Sequence, residues 1–159
     1  MKTVLLLIIV SISAFAQYSY TNENNNELIR QIIKDQEEGW NNGDAEQYSR
    51  SFQTEGIYTI ITGATYHSRD DLEERVNFIL KGFFAKSILT QKIVSIIYVA
   101  ENIAIIEIET EMTNYKGLPP GVKASSDDKL RTSMLQVVIK TDETWKVAAF
   151  HNVDVKVQQ

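Results

Sequence analysis

Apolar residues recur at near-helical spacing from Asn26 to Trp40, where Leu28, Ile29, Ile32, Ile33 and Trp40 form one stripe. Asn41-Asn42-Gly43 ends that helix, since Gly43 can adopt the left-handed conformation that closes helices. Asp44 then caps a short second helix, with Gln47 at the capping-box distance. From Glu55 to Tyr66 the residues turn β-branched and aromatic around Thr62-Gly63, which predicts a hairpin. Ser68 and Asp71 form a second capping box. It opens a third helix with the stripe Leu72, Val76, Ile79, Leu80 and Phe83, and Gly82 weakens its end. Four long antiparallel strands follow, at 88–99, 102–115, 129–140 and 144–155. Residues 100–102 make the first turn, the Pro, Gly and Ser content of 116–127 marks a long exposed loop, and Asp142-Glu143 lies in the last turn. Helices and a hairpin followed by a meander predict an α+β fold, with helices covering one face of a curved sheet.

Strand alternation assigns faces. Trp145, Val147, Ala149, His151 and Val153 share one side of the last strand. Arg131, Ser133, Leu135, Val137 and Ile139 align in the strand before it, and Ala104, Ile106, Ile108, Thr110 and Met112 in the strand from 102. These form the better core face, which places His151 and Arg131 inward, near strand ends. Asn152 points outward unless a bulge re-aims it. The opposite face is half apolar, with Ala148, Phe150, Met134 and Val138, and such a face often pairs with a second subunit.

The N-terminus changes the expected setting. Lys2, the apolar run Val4–Ile12 and Ala14-Phe15-Ala16 have the pattern of a signal peptide at 1–16, too short to span a bilayer. Export to the periplasm or beyond is expected, with the mature chain starting at Gln17. Residues 17–25 are polar and Asn-rich, a flexible lead-in to one domain at 26–157. The chain has 16 basic and 21 acidic residues, a net charge of −5 that becomes −6 once Lys2 is removed. An acidic domain lacks the clustered cations that nucleic acid or an anionic membrane surface requires. With no cysteine, there is no disulfide and no thiol nucleophile.

Three stretches resemble one known family. The helix end Trp40-Asn41-Asn42-Gly43-Asp44, the run from Ser51 to Leu72, and His151-Asn152-Val153-Asp154-Val155 are similar to the SgcJ/EcaC family, a branch of the SnoaL-like, NTF2-like superfamily. The resemblance covers about residues 27–155. It implies an NTF2-like (cystatin-like) cone, in which three N-terminal helices pack into a strongly bent antiparallel sheet around a pocket. It also implies a homodimer formed through the outer sheet face. Superfamily activities include isomerases, dehydratases, cyclases and epoxide hydrolases, and the branch often carries an oxidoreductase label. No glycine-rich dinucleotide turn supports that label here, and no cofactor is expected. The chain departs from the branch at Glu55, where Asp is usual, and at Ile57, Ile60 and Glu107, where acidic, Asn and His residues are frequent. These changes make the expected pocket more apolar.

The candidate chemistry rests on few residues. His151 is the candidate catalytic acid or base, since imidazole titrates near neutral pH. Its alternative is a structural ring bonded to a nearby carbonyl or to the first helix. Arg131 could hold a carboxylate or phosphate at the pocket mouth, against the stronger alternative of a salt bridge to Asp154, Glu55 or another acid. Trp40, Tyr58 and Tyr66 could line the pocket or simply pack, and Ser133 could lie near His151. His67 reads as a surface or turn residue. No metal site is expected, because the two histidines lack a helical pair spacing and a third ligand. The Glu107, Glu109, Glu111 row, at about 7 Å per step, reads as a solvated stripe or interface rim.

The expectation is a secreted or periplasmic pocket protein. It binds a small, largely apolar molecule, with possible cofactor-free isomerase or dehydratase chemistry. The alternatives are a non-catalytic dimerisation or association module and, third, an oxidoreductase.

Overall fold

The structure is a computed structural model that describes residues 23–155. The expected signal peptide and most of the lead-in lie outside those residues. Helix α1 spans Glu23–Asn42, α2 Ala45–Ser49 and α3 Arg69–Lys81. Strands are β1 Phe52–Thr59, β2 Thr65–Ser68, β3 Ile88–Ala100, β4 Ile103–Thr113, β5 Leu130–Thr141 and β6 Thr144–Asp154.

Helix α1 starts three residues before the expected Asn26, because its first turn is tied to the sheet. Asn25 is buried and accepts a hydrogen bond from Trp145 Nε1 at 3.3 Å, and Asn26 accepts one from the Tyr98 hydroxyl at 2.8 Å. Both capping predictions hold. Asp44 accepts from the Gln47 amide at 2.9 Å, and Ser68 from the Asp71 amide at 3.1 Å. Gly43 takes φ +71 at the end of α1. The apolar stripes differ from expectation at two residues. Leu28 is exposed, and Phe83 gives its core place to Phe84, whose amide bonds the Ile79 carbonyl as the chain turns off α3.

The six strands form one sheet in the order β2-β1-β6-β5-β4-β3. Neighbours are antiparallel except β1 and β6, which run parallel. The sheet is therefore mixed, where the sequence suggested an antiparallel one. The parallel pair joins the early hairpin to the late meander. Register shifts interrupt β1–β2, β1–β6, β3–β4 and β5–β6, and bulges of this kind give a sheet its bend. The three helices lie in the resulting concavity.

The face assignment holds for β4, where Ala104, Ile106, Ile108, Thr110 and Met112 are buried. It is reversed for β5, whose buried side is Leu130, Thr132, Met134, Gln136 and Val138. The polar members of that side are satisfied internally. Thr132 shares a 2.6 Å hydrogen bond with Thr110, and Gln136 Nε2 donates to Gln36 Oε1 at 2.9 Å. Gln36 in turn donates to Ser51 Oγ at 3.1 Å. A buried amide with partners costs little, so the more apolar side, with Leu135 and Val137, was free to face outward.

Strand β6 changes sides partway along. Val138 pairs with Val147 but Val137 with Ala149, leaving Ala148 as the extra residue of a bulge. Trp145 and Val147 point inward as expected, and beyond the bulge the inward positions are Phe150 and Asn152. Gly56 sits beside this bulge. A Cβ there would overlap the Tyr58 hydroxyl and lie 2.5 Å from the Ala148 carbonyl.

Candidate functional site

The interior of the cone holds a cavity of about 70 Å³. That is several times the ~10–15 Å³ one water requires. Its helical wall comes from Trp40 of α1, Tyr48 of α2, and Leu72, Arg75, Val76 and Ile79 of α3. The sheet contributes Thr110 and Met112 from β4, Leu130, Thr132 and Met134 from β5, and Phe150 and Asn152 from β6. Ile60, Ile61 and Thr62 of the β1–β2 turn, Phe84, Leu89 and Pro119 complete it.

The Trp40-to-Asp44 stretch builds one end of this site. The Trp40 indole donates to Ser87 Oγ at 2.9 Å, and its ring lies 5.7 Å from Tyr48 and 5.6 Å from Phe84. Asn41 clamps the start of β3, donating to the Leu89 carbonyl at 2.9 Å and accepting from the Leu89 amide at 2.7 Å. Gly39 allows α2 to cross close by, since a Cβ there would overlap the Tyr48 backbone.

Two polar atoms at the cavity have no hydrogen-bond partner. Asn152 Oδ1 and Arg75 Nε are both buried and unpaired. Leaving such a group unmet costs roughly 1–3 kcal/mol, so natural interiors rarely keep one without a use for it. Arg75 also makes no salt bridge among the described residues; its guanidinium carbon sits 5.5 Å from the centre of the Phe78 ring. Burial raises the Tyr48 hydroxyl far above its ordinary pKa, so it stays protonated as a potential donor. The cavity wall carries no carboxylate and no imidazole among the described residues.

The sequence candidates disperse. Trp40 lines the cavity. His151 does not: it is exposed on the outer face, opposite Leu135. The bulge at Ala148 is the reason, because one extra residue exchanges the two sides of a strand. Ser133 is also on the outer side, opposite Glu109 and Val153. Tyr58 is fully buried away from the cavity. Its hydroxyl donates to the Gln53 carbonyl at 2.8 Å and lies 3.3 Å from that of Val147, filling the gap left where β1 bulges against β6. Its pKa is pushed up to about 12, chiefly by burial. Arg131 is on the outer side and is spent on acids, with 2.9 and 2.6 Å bonds to Asp127 and a 3.0 Å contact to Glu111.

Of the departures from the resembled family, only Ile60 faces the cavity; Glu55, Ile57 and Glu107 are exposed. Glu107, Glu109 and Glu111 meet Ser95, Lys92, and Lys129 with Arg131 respectively. Among the described residues no group of three potential ligands could hold a metal, and no helix is long and apolar enough to cross a membrane.

Sequence reasoning missed Tyr48, Arg75 and the Thr110–Thr132 pair. Arg75 left a signal, as a cation on the Leu72, Val76, Ile79 side of its helix.

By sequence, the chain matches no family model and no curated protein. By structure, it is similar to a cystatin-like domain of unknown function from Nostoc punctiforme, with a TM-score of 0.72 at 18% identity over 86% of this chain and 81% of that one. A type 2 hexachlorocyclohexane dehydrochlorinase (LinA) gives a TM-score of 0.70 at 12% identity, over 83% and 86% of the two chains. An NTF2-like protein of unknown function from Shewanella oneidensis gives 0.62 at 22% identity, over 82% and 99%. At such identities the likeness shows the fold alone. The chain has the NTF2-like, cystatin-like α+β fold.

Proposed function

We propose that this chain is an exported pocket protein of the SgcJ/EcaC type, which binds a small, largely apolar molecule inside the cone without transforming it through His151. The observation that carries this reading is the cavity. It is walled mainly by apolar side chains yet keeps two unpaired polar atoms, the usual composition of a small-molecule site. Export rests on the leader pattern at 1–16.

Isomerase or dehydratase chemistry has weaker support. It needs a group that takes and returns a proton near neutral pH. The imidazole offered for that role stands outside, and among the described residues the wall has only Tyr48 and Arg75 as ionisable groups. The dehydrochlorinase with the same fold is a reminder that such cavities can host elimination, but a fold does not carry a reaction with it.

A second reading, a homodimerising association module, is favoured by the outer sheet face. Ile57, Ile97, Val99, Leu135 and Val153 are exposed there, each at 46% or more, which is unusual for a sheet that faces only water. The two readings are compatible.

Methyl NMR of the methionines tests the pocket. Addition of cyclohexanol, a neutral apolar probe, is expected to shift the Met112 and Met134 methyl signals in a saturable way. Absence of any shift at millimolar probe would remove the pocket reading.

A further inference from the structure

The two unpaired atoms differ in kind, and together they describe a ligand. Arg75 Nε carries an N–H and can only donate; Asn152 Oδ1 is a carbonyl oxygen and can only accept. The arginine brings a positive charge with no acidic partner among the described residues, into a wall that is otherwise neutral. A group that satisfies Arg75 must offer an acceptor and is favoured if anionic, since charge-assisted bonds are the stronger ones. A group that satisfies Asn152 Oδ1 must offer an O–H or N–H.

No other side chain bonds either atom among the described residues. Thr110 and Thr132 bond each other at 2.6 Å on the sheet side. Tyr48 also lines the wall, and its protonated hydroxyl is a second donor, suited to the same acceptor end as Arg75 or to a second oxygen of the ligand. Apart from Thr62 of the β1–β2 turn, the remaining wall is aliphatic, aromatic or thioether. Met112 and Met134 can shift to admit a body larger than the present void, because methionine side chains repack readily.

From these complementary demands we propose that the cavity selects a small hydroxy-carboxylate or its close equivalent. This proposal rests on the pocket reading above. The carboxylate meets Arg75, the hydroxyl donates to Asn152 Oδ1, and a short hydrocarbon body fills the apolar centre. At about 70 Å³ the present void is about half the ~150 Å³ of a cavity that admits benzene, so a four-carbon acid enters as Met112 and Met134 shift. The guanidinium carbon lies 5.5 Å from the centre of the Phe78 ring, which is exposed and not part of the cavity wall.

The test is a titration of the chain with β-hydroxybutyrate, butyrate, butanediol and cyclohexanol, read on the Met112 and Met134 methyl signals. β-Hydroxybutyrate is expected to bind at least tenfold tighter than butyrate, which lacks the hydroxyl, and than butanediol, which lacks the carboxylate. In Arg75→Met the advantage over butanediol is lost. In Asn152→Leu the advantage over butyrate is lost. Equal binding of β-hydroxybutyrate and butanediol to the unaltered chain overturns the proposal, whatever the variants do. Binding of cyclohexanol without preference for the acid also overturns it but leaves the pocket reading standing. If none of the four compounds moves the two methyls, both readings fall.

Discussion

His151 and Asn152 are neighbours in the chain and stand on opposite sides of the sheet. His151 faces out across from Leu135, and Asn152 faces in across from Met134, with its Oδ1 buried at the cavity. One unpaired residue, Ala148, decides which of the two reaches the interior.

That arrangement separates their mutational effects. His151→Ala is expected to change stability by no more than about 0.5 kcal/mol, as for most surface replacements, and to leave binding of any cavity ligand unaltered. Asn152→Leu is expected to raise the stability of the empty protein by about 1 kcal/mol, because it removes an unmet buried acceptor. Chemical denaturation of both variants checks this. A loss of binding in His151→Ala with Asn152→Leu unaffected would reverse the assignment.

Gly39 fixes how closely α2 crosses α1. Gly39→Ala places a methyl against the Tyr48 backbone, 2.9 Å from its Cα and 3.0 Å from the Asp44 carbonyl. Overpacking against backbone costs about 1–3 kcal/mol. A lower denaturation midpoint, with a changed Tyr48 environment by NMR, is the expected result.

Gln36 and Gln136 form a buried amide pair, both fully enclosed. Gln136→Leu leaves the Gln36 carbonyl without its donor and is expected to cost about 1–3 kcal/mol. Gln36→Leu combined with Gln136→Leu is expected to recover much of that loss. A double-mutant cycle in urea measures the coupling.

The loop at 116–127 is held at its end by Arg131 with Asp127, beside the pairs that Glu111 makes with Lys129 and Arg131. Hydrogen bonding to Arg131 lowers the Asp127 pKa, and hydrogen bonding to Lys129 lowers that of Glu111. Lowered carboxylate values mean that this support is complete above the ordinary carboxylate range and is lost as pH falls through the depressed values. Arg131 itself stays charged throughout, its pKa raised by the same partners. Limited proteolysis within 116–127 should therefore be faster near pH 3 than at pH 7. Arg131→Gln should show the faster cleavage already at pH 7.

If the outer face seats a second copy, Leu135→Glu should shift the protein toward monomer in sedimentation velocity without loss of fold. Leu135 is 46% exposed in the single chain, so the charge costs the monomer little. A monomer already in the unaltered protein would remove the association reading.

Much of the architecture was legible in the chain. Helix periodicity located α1 and α3, and Asp44 and Ser68 announced the caps of α2 and α3, because these are local signals that tertiary contacts left in place. The β4 face was readable because Ile106, Ile108, Thr110 and Met112 alternate with Glu107, Glu109 and Glu111. The β5 face was not. Thr132 and Gln136 look like surface residues until Thr110 and Gln36 are placed against them, and those partners lie 22 and 100 positions away. The β6 face was lost for a different reason. Ala148-Ala149 carries no mark of a bulge, and a single added residue reverses everything beyond it, which moved the candidate site from His151 to Asn152. Arg75 was visible as a misplaced cation on an apolar stripe, but its solitude appears only when the surrounding side chains are in place.

The most direct test is a crystal structure of the protein grown with saturating β-hydroxybutyrate. The account predicts the molecule inside the cone, its carboxylate on Arg75 and its hydroxyl on Asn152 Oδ1. An empty cavity, or the acid bound beside His151 on the outer face, would contradict it.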